Sequence, residues 1–403
     1  MKSMPSKYRP YMILSLSALA ALTVIWCFHP ELSIFSRCAY SSYSYQAEAW
    51  LMGRLSLPYG ESLTWLEIAT YKGQTYISFP PFPSFVMLPF VALFGIGNTP
   101  ENAVNTAFVI LGMFFAYKIA RRLGQTESVS VLLSLLLTLC GNFLFVAAAG
   151  WVWFLAQVMS FTFTLMAFYY CLTDDFKHTK YAFLFYAFAV GCRPFQAVYF
   201  PVLAFLAYRR NKNIKQNLLS LIPMSAVACV YMWLNYARFG NIAEFGHSYL
   251  PEMLADQQFG LKFLSQNFKY LWSLPALSSS GLSFNGFGRD AFWIFNTVYV
   301  FFAFIIIYRL IRKLSSRESL IGDPVPASGV FVLVCLHIFL LLLHITMGGW
   351  GWGSRYLIDT TPGIFYVALN LMPKKPSKTV LAVLILLCVF GLAFNMYGTI
   401  VTY

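Results

Sequence analysis

The sequence predicts an all-α membrane protein with about eleven transmembrane helices. Three observations predict it. First, 59% of the 403 residues are hydrophobic, 11% are charged, and the mean hydropathy is +0.64. A soluble domain carries about 25% charged residues, so this chain lacks the polar groups to cover a water-facing surface. Second, the apolar residues gather into segments near the roughly 20 residues a helix needs to cross a bilayer. Third, Lys and Arg lie in short clusters between those segments, as orientation signals do. Together these exclude a disordered chain, a disulfide-rich secreted module and a cytosolic enzyme. The net charge of +13 does not point to nucleic acid, because no basic run is interleaved with aromatics.

The candidate spans, in order, are Tyr11–Cys27, Ala103–Ala120, Ser128–Ala148, Trp151–Leu172, Tyr181–Cys192, Phe195–Tyr208, Leu218–Tyr236, Ala291–Leu310, Val330–Met347, Thr361–Met372 and Val380–Tyr397. The first follows Lys2, Lys7 and Arg9 and has no small-residue cleavage site before His29-Pro30. It reads as a retained anchor rather than a removed signal peptide. The fifth and sixth are short and joined through Arg193-Pro194, so one kinked element is an alternative. Ser84–Gly97 holds Pro89 and is too short for an ordinary span; it reads as interfacial or re-entrant. Charge supports this. If it does not cross, 19 of the 28 basic residues lie on the cytoplasmic side, and if it does, only 9 remain there. The positive-inside rule selects the first arrangement, with the N-terminus inside and the C-terminus outside.

That arrangement predicts one polytopic domain, 1–403, with long outside loops at 29–102 and 238–290 and a short one at Gly348–Thr360. The inside connections are short, so function is expected outside. In the first loop, Tyr45, Ala49 and Met52 keep helical spacing, as do Glu48, Leu51 and Leu55, which predicts a helix on the membrane surface. Glu48 and Glu67 are the candidate general bases, and Glu67 precedes a turn containing Lys72 and Gly73. Pro80, Pro81, Pro83 and Pro89 then block a straight helix. In the second loop Glu244 and His247 stand three apart and would share a helical face; a polar pair near the headgroups and part of a metal site are both open. The third loop, GGWGWGSRYLIDTTP, offers Trp350, Trp352 and Tyr356 as an apolar or sugar-stacking wall. Arg355 beside Asp359 supplies a fork suited to phosphate; a snorkelling arginine in an aromatic belt is the alternative. Arg193 interrupts the apolar run AVGCRPFQAVYF. A cation there faces a cavity or a partner, or snorkels from a helix end. The eight cysteines show no CxxC or Cys/His metal spacing and read as small buried residues. No GxSxG, HExxH, Walker or GxGxxG pattern occurs.

Taken in order, YQAEAWLMGRLSL, YKGQTYISFPPFPSFVMLPFVALFG, GWVWFLAQV, AVGCRPF, NYARFGNIAEFGHSYL and GWGSRYLIDTTP make the chain resemble the GT-C glycosyltransferases. Within them it looks nearest to a group of bacterial membrane proteins described as mannosyltransferase-like. The resemblance covers most of the chain, from about Tyr45 to Pro362. It implies a bacterial plasma-membrane enzyme that moves a sugar from a polyprenyl-phosphate donor to a lipid, glycan or protein acceptor at the outer face. The partners it implies are membrane lipids, the lipid-linked donor and the acceptor, with no nucleotide cofactor and no nucleic acid. In that superfamily an Asp or Glu early in the first outside loop serves the acceptor. Here Arg37–Tyr45 holds no carboxylate, only Ser41, Ser42 and Ser44, so the role passes to Glu48 or Glu67. Phosphate-binding cations are proposed at Lys72, Arg193, Arg238 and Arg355. The rival readings are a lipid-linked-glycan transporter and an inactive scaffold of the same fold.

Overall fold

The computed structural model describes residues 6–58, 67–173, 175–250, 253, 257–274, 276–278, 281–283, 290–315 and 324–403. Parts of both long loops, including 59–66 and 284–289, therefore lie outside the described residues. So do the basic and acidic residues of 316–323.

Each of the eleven apolar segments carries helix. The helices are α1 (Arg9–Phe28), α2 (Ser42–Leu51), α3 (Phe82–Phe94), α4 (Glu101–Arg122), α5 (Glu127–Leu137), α6 (Phe143–Ala147), α7 (Val152–Leu172), α8 (Thr179–Cys192) and α9 (Phe200–Arg210). They continue with α10 (Ile214–Ser220), α11 (Ile222–Phe239), α12 (Leu264–Tyr270), α13 (Phe292–Phe295), α14 (Thr297–Ser315), α15 (Pro324–Leu342), α16 (Thr361–Leu371) and α17 (Lys378–Thr402). Among the described residues five helices are long and apolar enough to cross a membrane: α1, α4, α7, α15 and α17. A sixth results if α10 and α11, bent by 41°, form one span. α7 is buried on nearly every side and packs against α3, α4, α8, α9 and α16. A helix apolar all round belongs at the centre of a bundle, while α1 and α17 keep most of their surface outward.

Several expected spans are shorter or broken. Ser128–Ala148 is not continuous: α5 stops at Leu137, and residues 138–142 interrupt it before α6. Backbone groups freed inside a membrane need partners. Here the Asn142 N–H donates to the Phe295 carbonyl at 2.9 Å, and the Cys140 carbonyl accepts from Thr297 Oγ1 at 2.7 Å. Ala291–Leu310 is likewise divided at Asn296 into α13 and α14. α8 and α9 are separate, joined by a 3-10 stretch at Pro194–Tyr199. Ser84–Gly97 forms the 13-residue α3, with Pro89 inside it.

The sequence reading placed no strands, yet two small hairpins occur. β1 (Ile68–Tyr71) pairs antiparallel with β2 (Gln74–Ile77), Ile68 opposite Ile77. Lys72 (φ +49°) and Gly73 (φ +74°) form the two-residue loop, the geometry that suits strand twist in a tight hairpin. β3 (Ala276–Ser278) pairs with β4 (Gly281–Ser283). The first hairpin rests on the end of α11, with Tyr76 and Phe239 ring centroids 5.2 Å apart and Tyr71 4.8 Å from Tyr249. The second loop also joins the third. Ile345 N donates to Gln258 O at 2.9 Å, and Asn267 Nδ2 on α12 donates to the carbonyls of Leu342, the last residue of α15, and of His344 just past it. Asn102 on α4 fixes the start of α7. Its Oδ1 accepts from Gly150 N at 2.7 Å and its Nδ2 donates to Ser33 O and Ser36 O.

α17 docks through a close approach. A Cβ on Gly398 would fall 1.8 Å from the Trp352 ring, whose Nε1 donates to Asn395 Oδ1 at 3.2 Å. Small residues permit such contact where hydrophobicity alone cannot drive helices together in lipid. Replacing Gly398 by Val is expected to destabilise the protein by about 1–3 kcal/mol, as overpacking does. Thermal unfolding in detergent reads this out, and an unchanged midpoint would contradict the docking.

Candidate functional site

Residues from the two long loops, from the short glycine-rich loop and from the ends of α7 and α8 meet in one cleft of about 280 Å³. Its polar lining is Glu67, Ser78, Trp153, Arg193, His247, Gln258, His344 and Tyr356, and its remaining walls are mostly apolar, Phe79, Phe195, Phe245 and Phe259 among them.

Arg193 follows the last residue of α8 and precedes Pro194. A residue before proline is pushed from helical to extended backbone, and Arg193 has φ −141° and ψ 104°. Its Nε donates to Asp359 Oδ2 at 2.9 Å. Asp359 lies in the 3-10 stretch Arg355–Thr360 with its side chain 0% exposed. The other Asp359 oxygen accepts from Gln157 Nε2 at 2.8 Å, and its backbone carbonyl accepts from Gln196 Nε2 at 3.0 Å. Gln157 stands one helical turn after Trp153 on α7 and also donates to Arg355 O at 2.7 Å. Burial opposes the charge on Arg193, but Asp359 and Tyr356 outweigh it and hold its pKa above the ordinary value. Arg193 thus has both a partner, Asp359, and a place at the cleft wall.

Arg355 is 5% exposed, and its Nε and Nη1 have no hydrogen-bond partner among the described residues. The glycine-rich loop wraps it. Gly348 (φ +140°) would put a Cβ 2.8 Å from Arg355 Cγ, and Gly349 (φ +63°) would put one 3.5 Å from Nη2. A side chain at either position would be strained by the positive φ, and at 348 it would also collide with the Arg355 stem. The Arg355 head lies 5.2 Å from the Tyr356 ring and 5.6 Å from that of Phe154; Arg193 covers Tyr356 at 4.6 Å. Burial lowers the Arg355 pKa, the Arg193 charge adds to this, and Tyr356, Glu67 and Asp359 only partly restore it.

Glu67 faces the same cleft. Its Oε1 accepts from Trp153 Nε1 at 3.1 Å and its Oε2 from Ser78 Oγ at 3.3 Å. Its φ of +62° is unfavourable for a non-glycine residue, by roughly 1 kcal/mol or more. Strain of this kind gathers where a side chain must be aimed. His344 lies past the end of α15. Its Nδ1 pairs with Thr346 O at 2.8 Å, which leaves Nε2 to accept from Gln258 at 3.2 Å. Burial lowers the His344 pKa to about 4.

The other expected site residues fall elsewhere. Glu48 is half-buried on α2, does not line the cleft, and its carboxylate accepts no hydrogen bond among the described residues. Lys72 is exposed at the hairpin tip, over the Tyr71 ring. Arg238 is buried beneath the hairpin and donates to Leu234 O and Asn235 Oδ1, away from the cleft. Glu244 and His247 do not share a helical face. The chain turns there, Gly246 has φ +107°, and Glu244 Oε1 accepts from Gly246 N, while His247 alone reaches the cleft. Trp352 belongs to the α17 contact rather than to the wall. Among the described residues no three His, Cys, Asp or Glu side chains stand in metal-binding proximity. Trp153, Ser78, Gln258 and His344 were not singled out in the sequence. Only Trp153, in GWVWFLAQV one turn before Gln157, carried a visible signal. Glu101, also unforeseen, is buried and accepts from Ser44 Oγ at 2.6 Å.

No protein-family model and no curated protein matches the chain. Similar solved structures include apo ArnT from Cupriavidus metallidurans, with TM-score 0.49 and 14% identity over 90% of this chain and 60% of that one. Archaeal oligosaccharyltransferase AglB from Archaeoglobus fulgidus, in complex with an inhibitory peptide and a dolichol-phosphate, has TM-score 0.46 and 12% identity over 95% and 55%. Arabinosyltransferase EmbB from Mycobacterium smegmatis has TM-score 0.46 and 11% identity over 92% and 31%. The chain thus spans about three fifths of the length of ArnT. At this level the likeness carries no inference about chemistry.

Two predictions follow from the geometry. Asp359→Asn strands a buried Arg193 charge and is expected to cost about 3–5 kcal/mol, whereas Arg193→Met with Asp359→Leu recovers most of it; equal losses in thermal unfolding would contradict the pairing. His344 prefers its neutral form when folded. Relative to His344→Gln, wild-type stability is therefore full above pH about 6.5 and falls by up to about 3 kcal/mol as pH drops towards 4. A pH-independent difference would contradict its enclosure.

Proposed function

We propose that the chain is a membrane glycosyltransferase that moves a sugar from a polyprenyl-phosphate donor to an acceptor hydroxyl. The observation that carries this reading is Arg355, a buried guanidinium whose Nε and Nη1 lack acceptors among the described residues and whose chain neighbour Tyr356 lines the cleft together with Glu67. A buried cation with unmet donors is costly, and a phosphate supplies the matching oxygens in fork geometry. The donor class and the membrane face are those the sequence resemblance implies.

In this reading Glu67 takes the proton of the acceptor hydroxyl. The acceptor oxygen forms a bond to the anomeric carbon as the bond from that carbon to the phosphate oxygen breaks. Both bonding electrons leave on the polyprenyl phosphate, and its charge is met by Arg355 and by Arg193 at the cleft wall. Fixed cations in a water-poor site stabilise a leaving anion better than solvent does. A single displacement inverts the anomeric configuration. Trp153 and Ser78 orient Glu67, and Asp359 holds Arg193 without touching substrate.

The transporter reading expects charged or broken elements near the midplane. The cleft is lined instead by loop residues and helix ends, such as Trp153 and Cys192, which favours chemistry at one face.

Mass spectrometry of lipid-linked sugars and surface glycans, in cells lacking the protein and in complemented cells, tests the proposal. Glu67→Gln is expected to reproduce the deletion, with donor accumulating and one glycan sugar lost. Glu48→Gln is expected to complement fully. A fully active Glu67→Gln protein would overturn the assignment, and an inactive Glu48→Gln protein would move the base to α2.

A further inference from the structure

A second cavity lies where α9 ends in Arg209-Arg210 and the short α10 meets α8. It holds about 160 Å³ and is lined by Phe183 of α8, Ala204, Ala207 and Tyr208 of α9, and Ile214, Asn217, Leu218 and Leu221 around α10. The small side chains of Ala204 and Ala207 leave the space, and Asn217 is its polar end. The volume suits a stretch of alkyl chain and excludes a helix or a folded partner. Ile214 and Leu218 stand 65% and 60% exposed at its rim, as expected of a short helix lying in a membrane interface.

The polar end is built. The Asn217 amide donates to Asn211 O at 2.6 Å and to Asn213 O at 3.0 Å, which fixes the orientation of the group. Its Oδ1 is then buried without a partner among the described residues. Lys212 Nζ is held 4.2 Å over the Tyr208 ring, and Lys215 is exposed on the first turn of α10. The occupant must therefore present an apolar chain, an anion for the two lysines and a donor for Asn217.

We propose that this groove binds one anionic glycerophospholipid of the phosphatidylglycerol kind. Its acyl chain lies along Ala204 and Ala207, its phosphate meets Lys212 and Lys215, and a headgroup hydroxyl donates to Asn217 Oδ1. Basic pockets between membrane helices recognise headgroups in this way. The site does not depend on the transferase reading.

Native mass spectrometry of the purified protein, incubated with equal amounts of phosphatidylglycerol and phosphatidylcholine of the same chain length, tests the proposal. One retained phosphatidylglycerol is expected, favoured at least fivefold. Lys212→Gln with Lys215→Gln is expected to bring the two lipids to parity, and Ala204→Phe, which fills the groove, to remove the bound lipid. Lys374→Gln with Lys375→Gln, a basic pair away from the groove, should leave the preference intact. Parity in the wild type, equal loss from both lysine pairs, or retention by Ala204→Phe would each overturn it.

Discussion

A carboxylate sealed inside the protein needs partners, and Asp359 organises the site by that need. Arg193 neutralises it, Gln157 occupies its second oxygen, and Gln196 binds its backbone. These partners come from the joint after α8, from α7 and from the 3-10 stretch before α9. One buried charge thus locks three elements to the segment that carries Arg355 and Tyr356. A buried ion pair is weak evidence for stability, because desolvation offsets attraction. Its value here lies in position: it fixes Arg193 at the cleft wall and holds in place the segment that carries Arg355, whose Nε and Nη1 lack acceptors among the described residues.

The loops add what the bundle cannot. A helical scaffold ends at its termini, so residues facing one another across a cleft must be carried there by connecting chain. The hairpin rests on Phe239 and Tyr249 and brings Glu67 to the Trp153 indole. The segment around Gln258 pairs with the chain after α15 and sets His344 opposite. Glu67, Arg193, Arg355 and the phenylalanines of the wall come from several separate segments, so the site exists only in the folded chain.

This division explains what was legible in the sequence. Segment length and apolarity found helix in every expected span, because both are local properties. The breaks at 138–142 and at Asn296 were hidden, since the partners that satisfy their backbones, such as Phe295 for Asn142, lie more than a hundred residues away. Arg193, Arg355 and Asp359 stood out because charge is rare in this chain. That Arg193 spends itself on Asp359 could not be read, because the two are 166 positions apart. The aromatic neighbours of Trp352 suggest a wall residue; its role comes from Gly398, on a helix 46 residues downstream. Glu244 and His247 had helical spacing, but glycines at 240 and 246 turn the chain there. Glu101 escaped notice because it opens a long apolar helix, where an acid reads as a boundary marker.

The central claim is that Arg355 awaits the phosphate of a lipid-linked substrate. It is tested most directly by binding a short-chain polyprenyl phosphate and the corresponding uncharged polyprenol to the protein in nanodiscs at pH 7. The account predicts at least tenfold tighter binding of the phosphate, a gap of about 1.4 kcal/mol or more, which closes in Arg355→Gln. Equal affinities in the wild type, or a gap that survives Arg355→Gln, would contradict it.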